Sequence, residues 1–87
     1  MIIDFHKKFD KSYKKLSPKL KQKVDLVIRN FRVDPHDISL RNHPLHGEIN
    51  DRRAISVTGD IRIIFEEHEN YVLVVMLDIG THNQVYE

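Results

Sequence analysis

The chain has no cysteine. Disulfides are therefore impossible and so is a thiolate metal site, as suits a reducing cytoplasm. No apolar run approaches the ~18 residues a membrane span requires, so association with a bilayer core is not expected. The first ten residues, MIIDFHKKFD, carry charge too early and too short an apolar stretch for a secretory signal. Glycine-rich phosphate loops, metal-spaced carboxylate pairs and Ser–His–Asp arrangements are all missing, which removes the commonest nucleotide-binding, metal-dependent and serine-nucleophile chemistries. Internal repeats, linkers and low-complexity segments are missing too.

What remains is one domain's length, residues 1–87, with 40% hydrophobic and 31% charged residues, the composition of an ordinary globule with a thin core. Net charge is only +1, but it is unevenly spread. Residues 1–32 hold ten Lys/Arg against three Asp, whereas residues 33–87 hold four Arg against ten acids. A basic N-terminal third is what a polyanion would meet; the plainer reading is that lysine covers the wet side of helices.

Met1–Ile3 with Phe5 suggest a short strand. Phe5, Phe9, Tyr13 and Leu16 then recur at helical spacing, with Lys7, Lys8, Lys11, Lys14 and Lys15 off the stripe. Ser17-Pro18 is a helix start, an N-cap serine with proline in the first turn, and Asp34-Pro35 stops the helix after Arg32. Residues 33–51 have no sustained period and read as a connection holding a short strand or a turn of helix. Strands follow: 52–57, with Arg53, Ile55 and Val57 on one face; 60–67, with Ile61, Ile63 and Phe65 on one face; and 71–79, apolar on both faces and so expected inside the sheet. Short turns between them imply an antiparallel meander. The expected class is α+β: an N-terminal two-helix hairpin packed on one face of a small, mainly antiparallel twisted sheet. The other face is expected to carry Arg62, Met76 and Asp78.

Six histidines stand out. His43 and His46 precede the sheet and His82 follows it, inside the terminal IGTHNQVYE. The stretches NHPLHGEINDRRAISVTGDIRIIF and LDIGTHNQVY resemble the RelE/ParE superfamily of bacterial toxins, most closely its YafQ-like branch. The shared signs are a His-Pro-Leu-x-Gly stretch before the sheet, an arginine entering the first long strand, an aspartate at the next hairpin and a Gly-Thr-His-x-x-x-aromatic ending. The resemblance covers the whole chain. It implies a toxin of a type II toxin–antitoxin system that cuts messenger RNA in the ribosomal A site, with a cognate antitoxin, the ribosome and mRNA as partners and no cofactor.

The residues suit that chemistry. RNA breaks without a metal when its own 2′-hydroxyl attacks the adjacent phosphorus. The protein then supplies a base for the 2′-OH proton, an acid for the 5′-oxygen and a cation for the charge between them. Histidine, with an ordinary pKa near 6.5, serves as either acid or base. By the resemblance, His43 and His82 form the acid–base pair, in unassigned order. Asp60 is the hairpin aspartate, which orients a histidine or acts as a base. Tyr86 is the terminal aromatic, and Arg62 contacts the scissile phosphate. Arg53, Lys7, Lys11 and Lys14 are candidates for RNA-backbone contact. His-Pro-Leu-His offers two imidazoles without a clear third ligand, so no metal is expected.

Three positions depart from the branch: Asp78 replaces an arginine, and Ser56 and Ile61 replace a histidine and a tryptophan. The missing cation must then come from Arg62 or Arg53. Two other readings use the same fold: a gyrase-poisoning, ParE-like toxin that needs no acid–base pair, and a remnant that only binds its antitoxin.

Overall fold

The computed structural model describes residues 1–45 and 52–85. The N-terminal apolar residues form strand β1 (Ile2–Phe5). Helix α1 (Lys7–Lys14) follows, capped by the ring of His6, which accepts from the Lys8 amide. The Ser17-Pro18 signal starts α2 (Pro18–Val33), with the serine hydroxyl accepting from the Leu20 amide. Of the connection 33–51, the described part holds a 3₁₀ turn (Ile38–Leu40) and a two-residue strand β2 (His43–Pro44), where the sequence reading expected one or the other. Strands β3 (Arg52–Ser56), β4 (Ile61–His68) and β5 (Leu73–Thr81) complete the sheet, and a last turn of helix, α3 (His82–Val85), ends the described chain.

The strand order is β1-β5-β4-β3-β2. β2 to β5 pair antiparallel, as the short turns imply, and β1 pairs parallel with β5 because the helical hairpin carries the chain across the sheet. The inner face of the sheet buries Ile55, Ile63, Phe65, Val74, Met76 and Ile79 against Phe9, Val24 and Phe31 of the helices. Phe31 meets the Phe65 ring edge-on at 5.0 Å. Leu40 pins the long connection into the same core.

One finding contradicts the sequence reading, and another adds an element that it did not assign. Met76 lies in the core, not on the outer face with Asp78. A β-bulge explains this: Ile64 pairs with Asp78 and Phe65 with Met76, which leaves Leu77 as the extra residue. The extra residue resets the alternation, so Met76 and Ile79 both face inward and Asp78 faces out. The Gly-Thr-His tail is also not a simple chain end. Thr81, His82, Asn83 and Gln84 match the Ser/Thr-x-x-Glu/Gln pattern of a helix start. The Gln84 amide donates to the Thr81 hydroxyl at 3.3 Å, and the Thr81 amide donates to the Gln84 side-chain oxygen at 2.8 Å.

Candidate ribonucleolytic face of the sheet

Directly paired residues share a face, so the register decides which side chains can meet. One row of the outer face runs His43, Ala54, Ile64, Asp78; the next runs Ser56, Arg62, Gly80. α3 then folds back over this face. Gly80 permits the reversal: a Cβ there would lie 2.7 Å from the Gln84 side-chain oxygen and 3.4 Å from a Val85 methyl. A side chain there would push the Gln84 side chain out of its place beneath the turn that carries His82.

Asp60, Arg62 and His82 come together at one end of this face. The His82 amide donates to the Asp60 carbonyl at 3.1 Å. The β3–β4 turn between them is held by Thr58, whose hydroxyl accepts from the Ile61 amide at 3.0 Å and the Asp60 amide at 3.3 Å. Among the described residues, Arg62 forms no ion pair with a carboxylate. Its guanidinium donates to the Thr58 carbonyl at 2.7 Å and the Ile61 carbonyl at 3.2 Å, so it is anchored to its own hairpin.

His43 enters from the other side, with β3 and β4 between β2 and β5; three strand spacings make roughly 14 Å. Its Nδ1 lies 2.7 Å from the Arg41 carbonyl. A carbonyl only accepts, so the neutral ring carries its proton on Nδ1 and is basic at Nε2. Asn42 holds this histidine's strand in place. Its amide donates to the Pro35 carbonyl at 2.9 Å and the Tyr71 hydroxyl at 3.0 Å, and its oxygen accepts from Arg53 Nε at 2.7 Å.

Arg53 is therefore not brought to the face of His43. The register pairs it with Phe65 on the inner side. The sequence alternation of Arg53 with Ile55 already contained that placement, and the same alternation puts Arg52 outward. Arg52 is the residue the sequence reading passed over. Lys7, Lys11 and Lys14 are exposed on α1, on one side of the helix by their spacing. Tyr86 lies outside the described residues. Among the described residues, no three His, Asp or Glu gather closely enough to hold a metal ion, and no helix is long and apolar enough to cross a membrane.

The fold recurs in solved toxin structures. YafQ from E. coli strain BL21(DE3) superimposes with a TM-score of 0.81 at 18% identity, covering 98% of this chain and 97% of that one. A YoeB/ParE toxin from Agrobacterium tumefaciens gives 0.78 at 15%, covering 94% and 99%. The E. coli DinJ–YafQ complex gives 0.73 at 19%, covering 98% and 97%. No curated protein matches in sequence. The family described as the bacterial toxin of type II toxin–antitoxin systems, YafQ, matches residues 1–87. The chain belongs to that family.

In this YafQ-family toxin, Asp78 has a structural employment. One carboxylate oxygen accepts from the Ser12 hydroxyl and from the Ile79 amide, each at 2.8 Å, and the other lies 3.4 Å from Lys8 Nζ. The acid fastens α1 to the end of β5, and its charge is met locally. Ser56 stands across from Arg62, with its hydroxyl enclosed and without a partner among the described residues.

Proposed function

We propose that the outer face is the active site of a ribosome-dependent, metal-independent endoribonuclease that cuts mRNA. The observation that carries this reading is the fastening of His82 to Asp60 beside Arg62, on the face that His43 borders from the opposite side. Cleavage needs a base, an acid and a cation around one phosphodiester, and no group beyond these. His43 Nε2 takes the 2′-OH proton, because the Arg41 carbonyl fixes the ring's proton on Nδ1. The 2′-oxygen attacks phosphorus, the bond to the 5′-oxygen breaks, and His82 delivers the proton that this oxygen needs. Arg62, immobilised by two carbonyls, stabilises the charge on the non-bridging oxygens without reorganising. Asp60 orients His82 through the shared backbone contact, Tyr86 stacks on a base, and Lys7, Lys11 and Lys14 attract the RNA. Arg53 positions His43 through Asn42. Action on ribosomes places the toxin in the cytoplasm, and its family implies a cognate antitoxin, as DinJ accompanies YafQ.

The test is mapping of mRNA ends by primer extension after induction, and again in a purified translation system with and without ribosomes. Cuts that need ribosomes and vanish in the His43→Ala/His82→Ala double variant are expected. Arrest of DNA replication with intact mRNA would replace this reading with the gyrase-poisoning one.

A further inference from the structure

A polar cleft of about 220 Å³ opens on the outer face beside α3, and the steps proposed above leave it unused. Three cationic or protonatable side chains from two elements line it: His6 and Lys8 at the start of α1, and Arg52 at the start of β3. Ile64 and Val85 supply apolar wall, and Asp78 is the carboxylate in the lining.

The lining favours an anion. Asp78 is already engaged by the Ser12 hydroxyl, the Ile79 amide and Lys8. Lys8 and Arg52 together outweigh it by one positive charge, and a protonated His6 makes that two. The His6 ring accepts from the Lys8 amide through Nδ1 at 3.1 Å, so its neutral form carries its proton on Nε2 as a donor. Arg52 faces outward with Glu66 as its cross-strand neighbour, yet the two form no ion pair; Glu66 leans instead toward His68, 3.9 Å away. Arg52 Nε is enclosed and has no hydrogen-bond partner among the described residues. Enclosed polar groups are almost always paired, so this donor calls for an acceptor. An oxyanion in the cleft meets that need once the side chain turns, so that one oxygen reaches Nε and another an Nη.

We infer that this cleft is a subsite for a backbone phosphodiester of single-stranded RNA adjacent to the one being cut. The inference rests on the ribonuclease reading of the same face. The cleft is below the ~300 Å³ at which pockets begin to hold whole drug-sized ligands, so it suits a phosphate more than a nucleotide. Ile64 and Asp78 in its wall belong to the row that begins at His43. Arg52 lies four residues along β3 from Ser56, the neighbour of Arg62, or about 13 Å. It therefore takes a neighbouring phosphate, and Arg62 keeps the scissile one.

The test uses the full chain and a fully 2′-O-methylated single-stranded oligonucleotide, which cannot be cut by 2′-oxygen attack. Affinity is measured by fluorescence anisotropy over a sodium chloride series. Each lost phosphate contact lowers the slope of log K against log salt by about 0.7. Arg52→Gln is expected to show that drop, Arg52→Lys to keep the wild-type slope, and Lys19→Gln on α2 to change nothing. Lys8→Gln, at a side chain 70% exposed, repeats the test should Arg52→Gln fail to fold. A wild-type slope in Arg52→Gln and Lys8→Gln overturns the subsite. So does a loss of antitoxin affinity with an unchanged oligonucleotide slope, which would assign the cleft to a protein carboxylate. The two readings separate cleanly: a reduced slope in a protein that never cuts mRNA keeps the subsite and removes the ribonuclease.

Discussion

The amide of His82 donates to the carbonyl of Asp60 over 3.1 Å, and this bond joins the C-terminal turn to the β3–β4 turn. Twenty-two residues of sequence separate the two, and both turns are further braced from within, by Thr58 on one side and by the Thr81/Gln84 pair on the other. The candidate acid is thereby placed by backbone and capping groups and does not depend on a flexible tail. Displacements of that turn should therefore be read in the chemistry before they are read in stability.

Gly80→Ala puts a methyl group against Gln84 and Val85. The expected outcome is a folded sheet with α3 lifted and cleavage slowed about 10²-fold, the scale of an ångström-sized misplacement. Cleavage assays together with amide NMR spectra check it. Wild-type rates would mean that α3 does not place a reacting group.

Thr81→Ala removes the hydroxyl that caps α3. A loss of about 1 kcal/mol is expected for the local opening of that turn, read as faster hydrogen exchange at Gln84 with little change in the melting temperature. Gln84→Ala removes the reciprocal bond from the Thr81 amide, which Thr81→Ala leaves in place, and should open the turn further.

Much of this was legible in the residues. The helix stripe through Phe9 and Tyr13, the Ser17-Pro18 start and the turn at Gly59 follow from spacing and cap chemistry, and the architecture follows from them. Three things were harder to read. The bulge at Leu77 depends on cross-strand register, which no residue of 73–79 announces, so plain alternation puts Met76 on the wrong face. The Thr-x-x-Gln start was readable, but its four residues sit beyond the last strand, where an end without structure is the ordinary expectation. Whether His43 and His82 share a face was likewise invisible, since it depends on strand order across β2 to β5.

Asp78→Ala should release α1 from the end of β5. The side chain is 14% exposed and accepts from Ser12 and the Ile79 amide. A loss of about 1–3 kcal/mol is expected, from the cost of leaving such donors without their acceptor. Urea titration checks it, and an unchanged midpoint would contradict the fastening role.

The helical hairpin should weaken at alkaline pH. The Tyr13 hydroxyl donates to Asp25 at 2.8 Å, and this bond, with a smaller contribution from burial, raises the phenol above its ordinary value of 10.0. A raised folded-state pKa means the stabilisation is whole below pH 10 and is lost as pH climbs through the folded value. Thermal unfolding between pH 9 and 12, compared with Tyr13→Phe, should show a decline in the wild type that the variant lacks.

The most direct measurement is single-turnover cleavage of mRNA on programmed ribosomes by the wild type, by His43→Ala and by His82→Ala, with a second mRNA carrying a 2′-deoxy group at the mapped cut. Each histidine variant should slow cleavage by about 10²–10⁴-fold, and the 2′-deoxy mRNA should stay whole. Undiminished cleavage by both variants, or cutting of the 2′-deoxy site, would contradict acid–base catalysis on this face of the sheet.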